Sequence, residues 1–338
     1  MRIEDLSLGE LRDLTDATVL VAAASDAGLF EALHAEPASA SELAERLAYD
    51  LRATRIVLQS LVETGFVEEE GERFRLTDRA ARELGDPAAP GYAGRGLPHW
   101  IRSVRAATRL GEVLRRGGPL EERSPRRSPK DVARFTAAMS AAPAERVTRM
   151  VDLCLQRNPG ARTVLDLGGG PGHVTRAFVE RGLRATLLDT PDITDHVIDA
   201  FDLRGVAGLE VVPGDFNRDP LPAGPFDVVL LSNVIHIYGE STVGNLLAKA
   251  AGVLAPGGVL AVAEFLRGHS SRAAPMGVQM LLRSAEGDTY TEAAIRGWME
   301  DAGLGEVRVD ALDEERQLVT AMRGGEKVDG APTQRGSA

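Results

Sequence analysis

Two places in the chain hold residues whose types and spacing suit chemistry. The first is Gly168-Gly169-Gly170-Pro171-Gly172, four glycines in five residues, directly after the apolar run Thr163–Leu167. Without a Cβ, such a backbone can come close to a ligand. The second is His236, just past the apolar segment Phe226–Leu231, together with Glu264, which ends another apolar segment, Val259–Glu264. An imidazole oriented by a carboxylate is a proton acceptor suited to neutral pH. Residues so far apart in sequence meet only if a sheet brings its strand ends to one rim, where open α/β folds bind their ligands.

The elements needed for that are legible. Thr163–Leu167 reads as a buried strand and Val174–Val179 as the start of a helix, so the glycines form a strand–loop–helix joint. Further strands are expected at Ala185–Leu188, Leu209–Val212, Phe226–Leu231, Val259–Glu264, Val307–Ala311 and Leu318–Ala321, alternating with helical text. The fold class is therefore α/β, a Rossmann-like sheet that is largely parallel and covered on both faces. Only Leu312–Gln317 separates the last two strands, too short for a helical crossover, so that pair should be antiparallel. If His236 and Glu264 end neighbouring strands, about 4.8 Å apart, their side chains can pair.

Upstream the pattern is mainly helical. Apolar positions from Leu8 to Leu33 suit one or two helices. A short helix opening at Ser41 and Glu42, a second over Arg52–Thr64 stopped by Gly65, and two strands (Phe66–Glu68 and Arg73–Leu76) make a winged-helix pattern. A Pro- and Gly-rich linker follows, then helical text at Leu97–Leu114 and Lys130–Gln156. Four regions are expected: a winged-helix domain over 1–96, a helical connector over 97–157, a catalytic domain over 158–323, and a disordered tail over 324–338.

Composition narrows the function. The chain has 338 residues, a net charge of −11 and one cysteine, Cys154. An acidic chain is a poor match for nucleic acid, a lone cysteine excludes an internal disulfide framework, and no apolar run is long enough to span a membrane. The expectation is a cytoplasmic protein with no metal ligand set, no nucleic-acid partner and no membrane partner. A DNA-binding regulator is the rival class raised by the winged helix. Residues 41–84 carry 7 Arg against 10 Asp and Glu, so that face looks built for another protein surface, and a homodimer is expected.

Three ligands compete for the glycines. A P-loop needs a lysine after them, and none follows. A dinucleotide fingerprint needs a third glycine where His173 or Thr175 stands. S-adenosylmethionine (SAM) has no phosphate and carries a sulfonium and an ammonium, which nearby carboxylates favour; Asp166 supplies one. Asp189, 17 residues past the last glycine, suits ribose hydroxyls of either cofactor. Asp215 and Phe216 follow the third strand, where an adenine edge and ring would lie. His173 reads as a helix-start or surface residue, Cys154 as a buried thiol.

The strings VLDLGGGPG, GDF, LSNVIHIYGE and LAPGGVLAVAEF, in that order, resemble the SAM-dependent small-molecule O-methyltransferases with an N-terminal winged-helix dimerisation domain. The resemblance spans nearly the whole chain. It implies cofactor contacts at Gly168, Asp189, Asp215 and Phe216, and a general base at His236; Asp166, Gly170 and Ser232 are further cofactor-binding candidates. It also implies a second carboxylate at a position where this chain has Thr289, and His-Asp-Trp where it has His236-Ile237-Tyr238. Methyl transfer to carbon, and SAM binding without methyl transfer, stay open. His99, Trp100, Phe135, Met139, Met276, Met280 and Tyr290 are candidate substrate-pocket residues, suited to an apolar, aromatic acceptor with a hydroxyl.

Overall fold

A computed structural model describes residues 5–87, 89, 92–120 and 128–325, without the side chains of Arg95 and His99. The chain forms two compact units, Met1–Leu110 with Lys130–Ala141, and Gly111–Pro129 with Ala142–Ala338. The connector residues 97–157 are thus shared between the two. Beyond Gly325, the tail lies outside the described residues.

In the first unit α1 (Leu8–Asp26), α2 (Leu29–Ala35), α3 (Ala40–Leu47) and α4 (Leu51–Glu63) precede the hairpin β2 (Val67–Glu70) and β3 (Arg73–Leu76). A short strand β1 (Ala38–Ser39), not anticipated, pairs antiparallel with β3. The cap of α3 is Ser39, not Ser41: its side chain accepts from Glu42 N and the Glu42 carboxylate returns to Ser39 N. That reciprocal pair satisfies two otherwise orphaned backbone donors. Asp50 caps α4 through its side chain, which accepts from Ala53 N, and Gly65 ends it with φ +75°. Phe30, Leu43, Leu58 and Leu61 are fully buried at the centre of this unit. The helices α5 (Asp78–Ala80), α6 (Leu97–Ala107) and α8 (Pro129–Ser140) complete it, and α7 (Leu110–Arg116) straddles its edge. Helical text from Lys130 to Gln156 is two helices, because Pro143 caps α9 (Ala144–Arg157).

The second unit is a seven-stranded sheet. After α9 come β4 (Thr163–Leu167), α10 (His173–Glu180), β5 (Arg184–Asp189), α11 (Pro191–Ala200), β6 (Leu209–Pro213) and β7 (Phe226–Ser232). Then follow α12 (Glu240–Gly252), β8 (Leu254–Glu264), α13 (Ala273–Leu281), α14 (Glu292–Asp301), β9 (Leu304–Ala311) and β10 (Gln317–Arg323). Strand order is β6-β5-β4-β7-β8-β10-β9. The first five are parallel, and β10 runs antiparallel between β8 and β9. The chain runs from β4 outward to β5 and β6, then returns to β7 on the other side of β4, which makes β4/β7 the switch point where a ligand crevice opens. The strands are apolar on both sides because helices cover both faces: Val164, Leu165, Val228, Val229, Leu230 and Leu231 are all fully buried.

Candidate active site

The glycine loop follows β4 at that switch point. Gly168, Gly170 and Gly172 have φ of +73°, +51° and +75°, values that exclude most side chains. A Cβ at Gly168 would stand 2.7 Å from Val234 Cγ2, one at Gly169 2.6 Å from Leu187 Cγ, and one at Gly172 2.8 Å from Leu203 Cδ1. Part of the glycine requirement therefore comes from packing, not from a ligand. At Gly170 the nearest atom to such a Cβ is 4.0 Å away, so only its conformation calls for glycine.

Asp189 ends β5 and braces the loop. Its Oδ2 accepts from Gly170 N at 3.0 Å and its Oδ1 from Thr190 N at 2.7 Å. Asp166 lies deeper than its sequence position suggests. It is buried, and its Oδ2 accepts the Thr175 hydroxyl at 2.6 Å. Burial pushes its carboxyl up to about 6, against the lowering effect of Thr175 and with Asp189 adding repulsion. The contact made by Asp166 is thus with the start of α10, behind the loop. Cys154 is buried, its thiol pushed up to about 12 by burial and then by the Asp166 charge, which makes it inert.

Asp215 and Phe216 follow β6. Asp215 Oδ1 accepts from Asn217 N at 3.0 Å. The Phe216 ring is buried edge-on to Tyr238 and comes within 3.7 Å of where a Gly168 Cβ would be. Lys249 of α12 ties this turn down through Phe216 O at 2.6 Å and Asp219 O at 2.8 Å, a staple that sequence reading missed. Ser232, the last residue of β7, is half-buried, and Asn233 Nδ2 donates to its Oγ at 3.3 Å.

His236 sits in a one-turn helix, Ile235–Ile237, launched from β7 by Asn233 at φ +56°. Ser232 pairs with Ala263 across β7/β8, so Glu264 projects from the same rim one residue on. His236 Nδ1 and Glu264 Oε2 are 2.7 Å apart, and His236 N donates to Glu264 Oε1 at 3.4 Å. Both side chains are buried. Because Leu167 pairs with Leu231, this pair and the glycine loop leave neighbouring strands.

The remaining candidates separate. Tyr290 is a core residue: its hydroxyl donates to Tyr238 O and its ring meets Trp298 edge-on at 4.9 Å. Met280 is buried on α13 in the same unit. Trp100, Phe135 and Met139 are half-buried residues of the first unit. The side chain of His99 lies outside the described residues. Thr289 is buried, donates to Ala273 O at 2.9 Å and accepts from Arg267 Nε at 3.3 Å, while Arg267 pairs with Asp288. Arg267 thus occupies both polar side chains at this position. His173 is the expected helix-start residue and is half-buried. Its Nδ1 is buried and has no hydrogen-bond partner among the described residues, and burial, with Arg146 nearby, lowers it to about 4. Among the described residues no group of three or more His, Cys, Asp or Glu is placed to hold a metal, and no helix is long and apolar enough to cross a membrane.

A loop of left-handed glycines, an acid at the next strand end and a His–Glu pair on the neighbouring rim stand together at the switch point of a Rossmann-like sheet. Residues 123–305 match the O-methyltransferase domain family and residues 16–85 the O-methyltransferase dimerisation domain. The chain belongs to the SAM-dependent O-methyltransferase family. It is 31% identical to a 3-hydroxy-5-methyl-1-naphthoate 3-O-methyltransferase of Streptomyces sahachiroi, over 86% of this chain and 87% of that one. It is 32% identical to a tetracenomycin polyketide synthesis 8-O-methyl transferase of Streptomyces glaucescens, over 84% and 86%. The solved structure of PigF with SAH shares the fold, with a TM-score of 0.83 and 21% identity over 96% of this chain and 100% of that one. The cofactor is SAM. The residues present fit it: the backbone from Gly168 to Gly170 carries no Cβ, Asp189 holds a carboxylate at the strand end, and Phe216 offers a ring beside Gly168.

Proposed function

We propose that this enzyme methylates a hydroxyl on an aromatic acceptor of the polyketide or naphthoate kind, with His236 as general base. The observation that carries the reading is the 2.7 Å pair of His236 Nδ1 and Glu264 Oε2, buried at the rim between β7 and β8. With Glu264 accepting at Nδ1, the imidazole carries its proton there, and Nε2 is left free to accept one from the acceptor hydroxyl. As that proton transfers, Glu264 stabilises the imidazolium that forms. Bound SAM supplies a methyl group on a sulfonium, an already activated leaving group. The chain's own contribution is then positioning and proton removal.

Gly168, Gly170, Asp189, Asp215, Phe216 and Ser232 are the residues we assign to cofactor binding, with Asp189 toward the ribose and Phe216 toward the adenine. Asp166 acts from behind, by fixing the loop through Thr175. The naphthoate and tetracenomycin relatives support an aromatic acceptor. The dimerisation-domain match supports a homodimer, which light scattering of the purified protein would show as twice the chain mass.

The decisive variant is His236→Ala, assayed with SAM and 3-hydroxy-1-naphthoate. The variant should bind S-adenosylhomocysteine (SAH) like the wild type and lose most turnover, with an O-methyl product from the wild type identified by NMR. Full turnover by the variant would remove His236 from the mechanism, and a C-methyl product would overturn the assignment to oxygen.

A further inference from the structure

Arg316 is a half-buried cation that the proposed mechanism leaves unused. It stands directly before β10, and the next residue, Gln317, pairs with Glu264 across β10/β8. Its Nε donates to Asn233 Oδ1 at 3.2 Å, and its guanidinium carbon lies 4.0 Å from the centre of the Phe265 ring. The side chain is 17% exposed. One guanidinium therefore touches the residue three before His236 and the residue immediately after Glu264. Asn233 is itself held in a left-handed conformation with its N–H on Ala263 O at 3.0 Å, and such strain persists only where surrounding contacts over-determine it.

Burying a guanidinium is costly unless charge and hydrogen bonds compensate. Burial, followed by the Arg146 guanidinium, lowers Arg316 to about 10, while Asp313, Glu315 and Glu264 pull the other way. It stays protonated at neutral pH, with the Glu264 carboxylate inside its field. Arg316 is anchored from outside the site as well. Its N–H donates to Asp313 Oδ1 at 2.8 Å, and Asp313 Oδ2 takes Arg146 of α9 at 3.0 Å.

We infer that Arg316 is a positioning residue for the His236–Glu264 pair, clamping the ends of β7 and β8 together through Asn233 and Phe265. Glu264 is the only carboxylate hydrogen-bonded to His236 among the described residues, so the orientation of the imidazole depends on that one group remaining an acceptor. The guanidinium suits this role, because its central carbon lies over the Phe265 ring while its Nε bonds Asn233. The inference rests on the reading of His236 as base.

The experiment compares Arg316→Met and Arg316→Lys, each also in the His236→Ala background. Three readouts are taken: SAH affinity by calorimetry, kcat for methyl transfer to 3-hydroxy-1-naphthoate, and the low-field imidazole N–H proton resonance of His236, assigned by its loss in His236→Ala. Arg316→Met should keep SAH affinity within roughly threefold and lose roughly 10- to 100-fold in kcat, the size of one charge-assisted contact. It should also lose the N–H resonance, and Arg316→Lys should restore the resonance and part of kcat. In the His236→Ala background Arg316→Met should cost nothing further, because the two act as one unit. Wild-type kcat and resonance in Arg316→Met would overturn the inference. So would a loss of SAH affinity as large as the loss of kcat, which would make Arg316 a cofactor contact. A failure of the base reading looks different: His236→Ala would then turn over normally whatever stands at residue 316.

Discussion

Gly168→Ala probes the loop most directly, because its cost can be worked from the structure. At φ +73° an alanine is in the left-handed region, at a cost of about 1–2 kcal/mol. Its Cβ would also stand 2.7 Å from Val234 Cγ2, a distance real side chains do not tolerate. Val234 is buried and follows the strained Asn233, so it has little room to move, and overpacking of that kind costs about 1–3 kcal/mol more. The sum is about 2–5 kcal/mol. Gly182 provides the control: it has φ +87° and nothing within 4 Å of an added Cβ, so Gly182→Ala should cost only the conformational part, about 1–2 kcal/mol. Urea unfolding of the three proteins measures the difference. The same Cβ at Gly168 stands 3.7 Å from Phe216, so SAH affinity, read by calorimetry, should fall at least about tenfold in Gly168→Ala and stay unchanged in Gly182→Ala. If the two variants were equally stable and bound SAH equally, the loop would be neither tightly packed nor close to the cofactor.

Other expectations follow from the same contacts. His236→Ala should retain the fold and SAH binding while kcat falls by roughly 10²–10⁴, the usual worth of a general base; steady-state kinetics beside calorimetry separates the two. Asp189→Ala removes the brace on Gly170 N and the proposed ribose acceptor, so SAH affinity should drop by roughly 10- to 100-fold, and native affinity would refute the role. Asp166→Asn addresses pH. The folded carboxyl sits at about 6, above its unfolded value, so the folded state holds more protons between about pH 4 and 6, and this group's contribution to stability declines as pH rises through that window. The decline is worth about 3 kcal/mol. Urea midpoints at both ends of the window should show a shallower fall for Asp166→Asn than for the wild type.

Much of the site is readable in the sequence because its parts are local or obey sheet geometry. The glycines announce their own loop, and Glu264 can be matched to His236 once the two apolar runs are taken as neighbouring parallel strands, since such neighbours deliver their ends to one rim. Chain direction in the last hairpin follows from the six residues between the expected strands. Where sequence misleads, the deciding contact is one residue off or far away along the chain. Ser39 and Ser41 are both good caps, and only Ser39 has Glu42 three residues on to complete the box. Tyr290 resembles a pocket residue because aromatic side chains in loops often line one; its hydroxyl instead closes a backbone carbonyl and its ring packs on Trp298.

Arg316 shows most clearly why some functional residues stay hidden. Nothing in EERQLV sets it apart from the exposed arginines that fill this chain. Its importance arises because β10 is inserted beside β8 instead of at the edge of the sheet, which carries the turn before it to the rim that already holds Asn233 and Phe265. A hairpin in the opposite order, with β9 next to β8, would have the same local sequence and would leave Arg316 away from the pair. The charge environment of the dyad is therefore set by strand order, a property of the whole sheet, while the dyad itself is set by two strand ends. Substitutions in the turn Leu312–Arg316 should accordingly alter turnover more than cofactor affinity, although every residue of that turn is remote in sequence from both His236 and Glu264. Steady-state kinetics and SAH calorimetry on Asp313→Ala, which frees both Arg316 N and Arg146, would measure that split, and a fall in affinity equal to the fall in kcat would refute it.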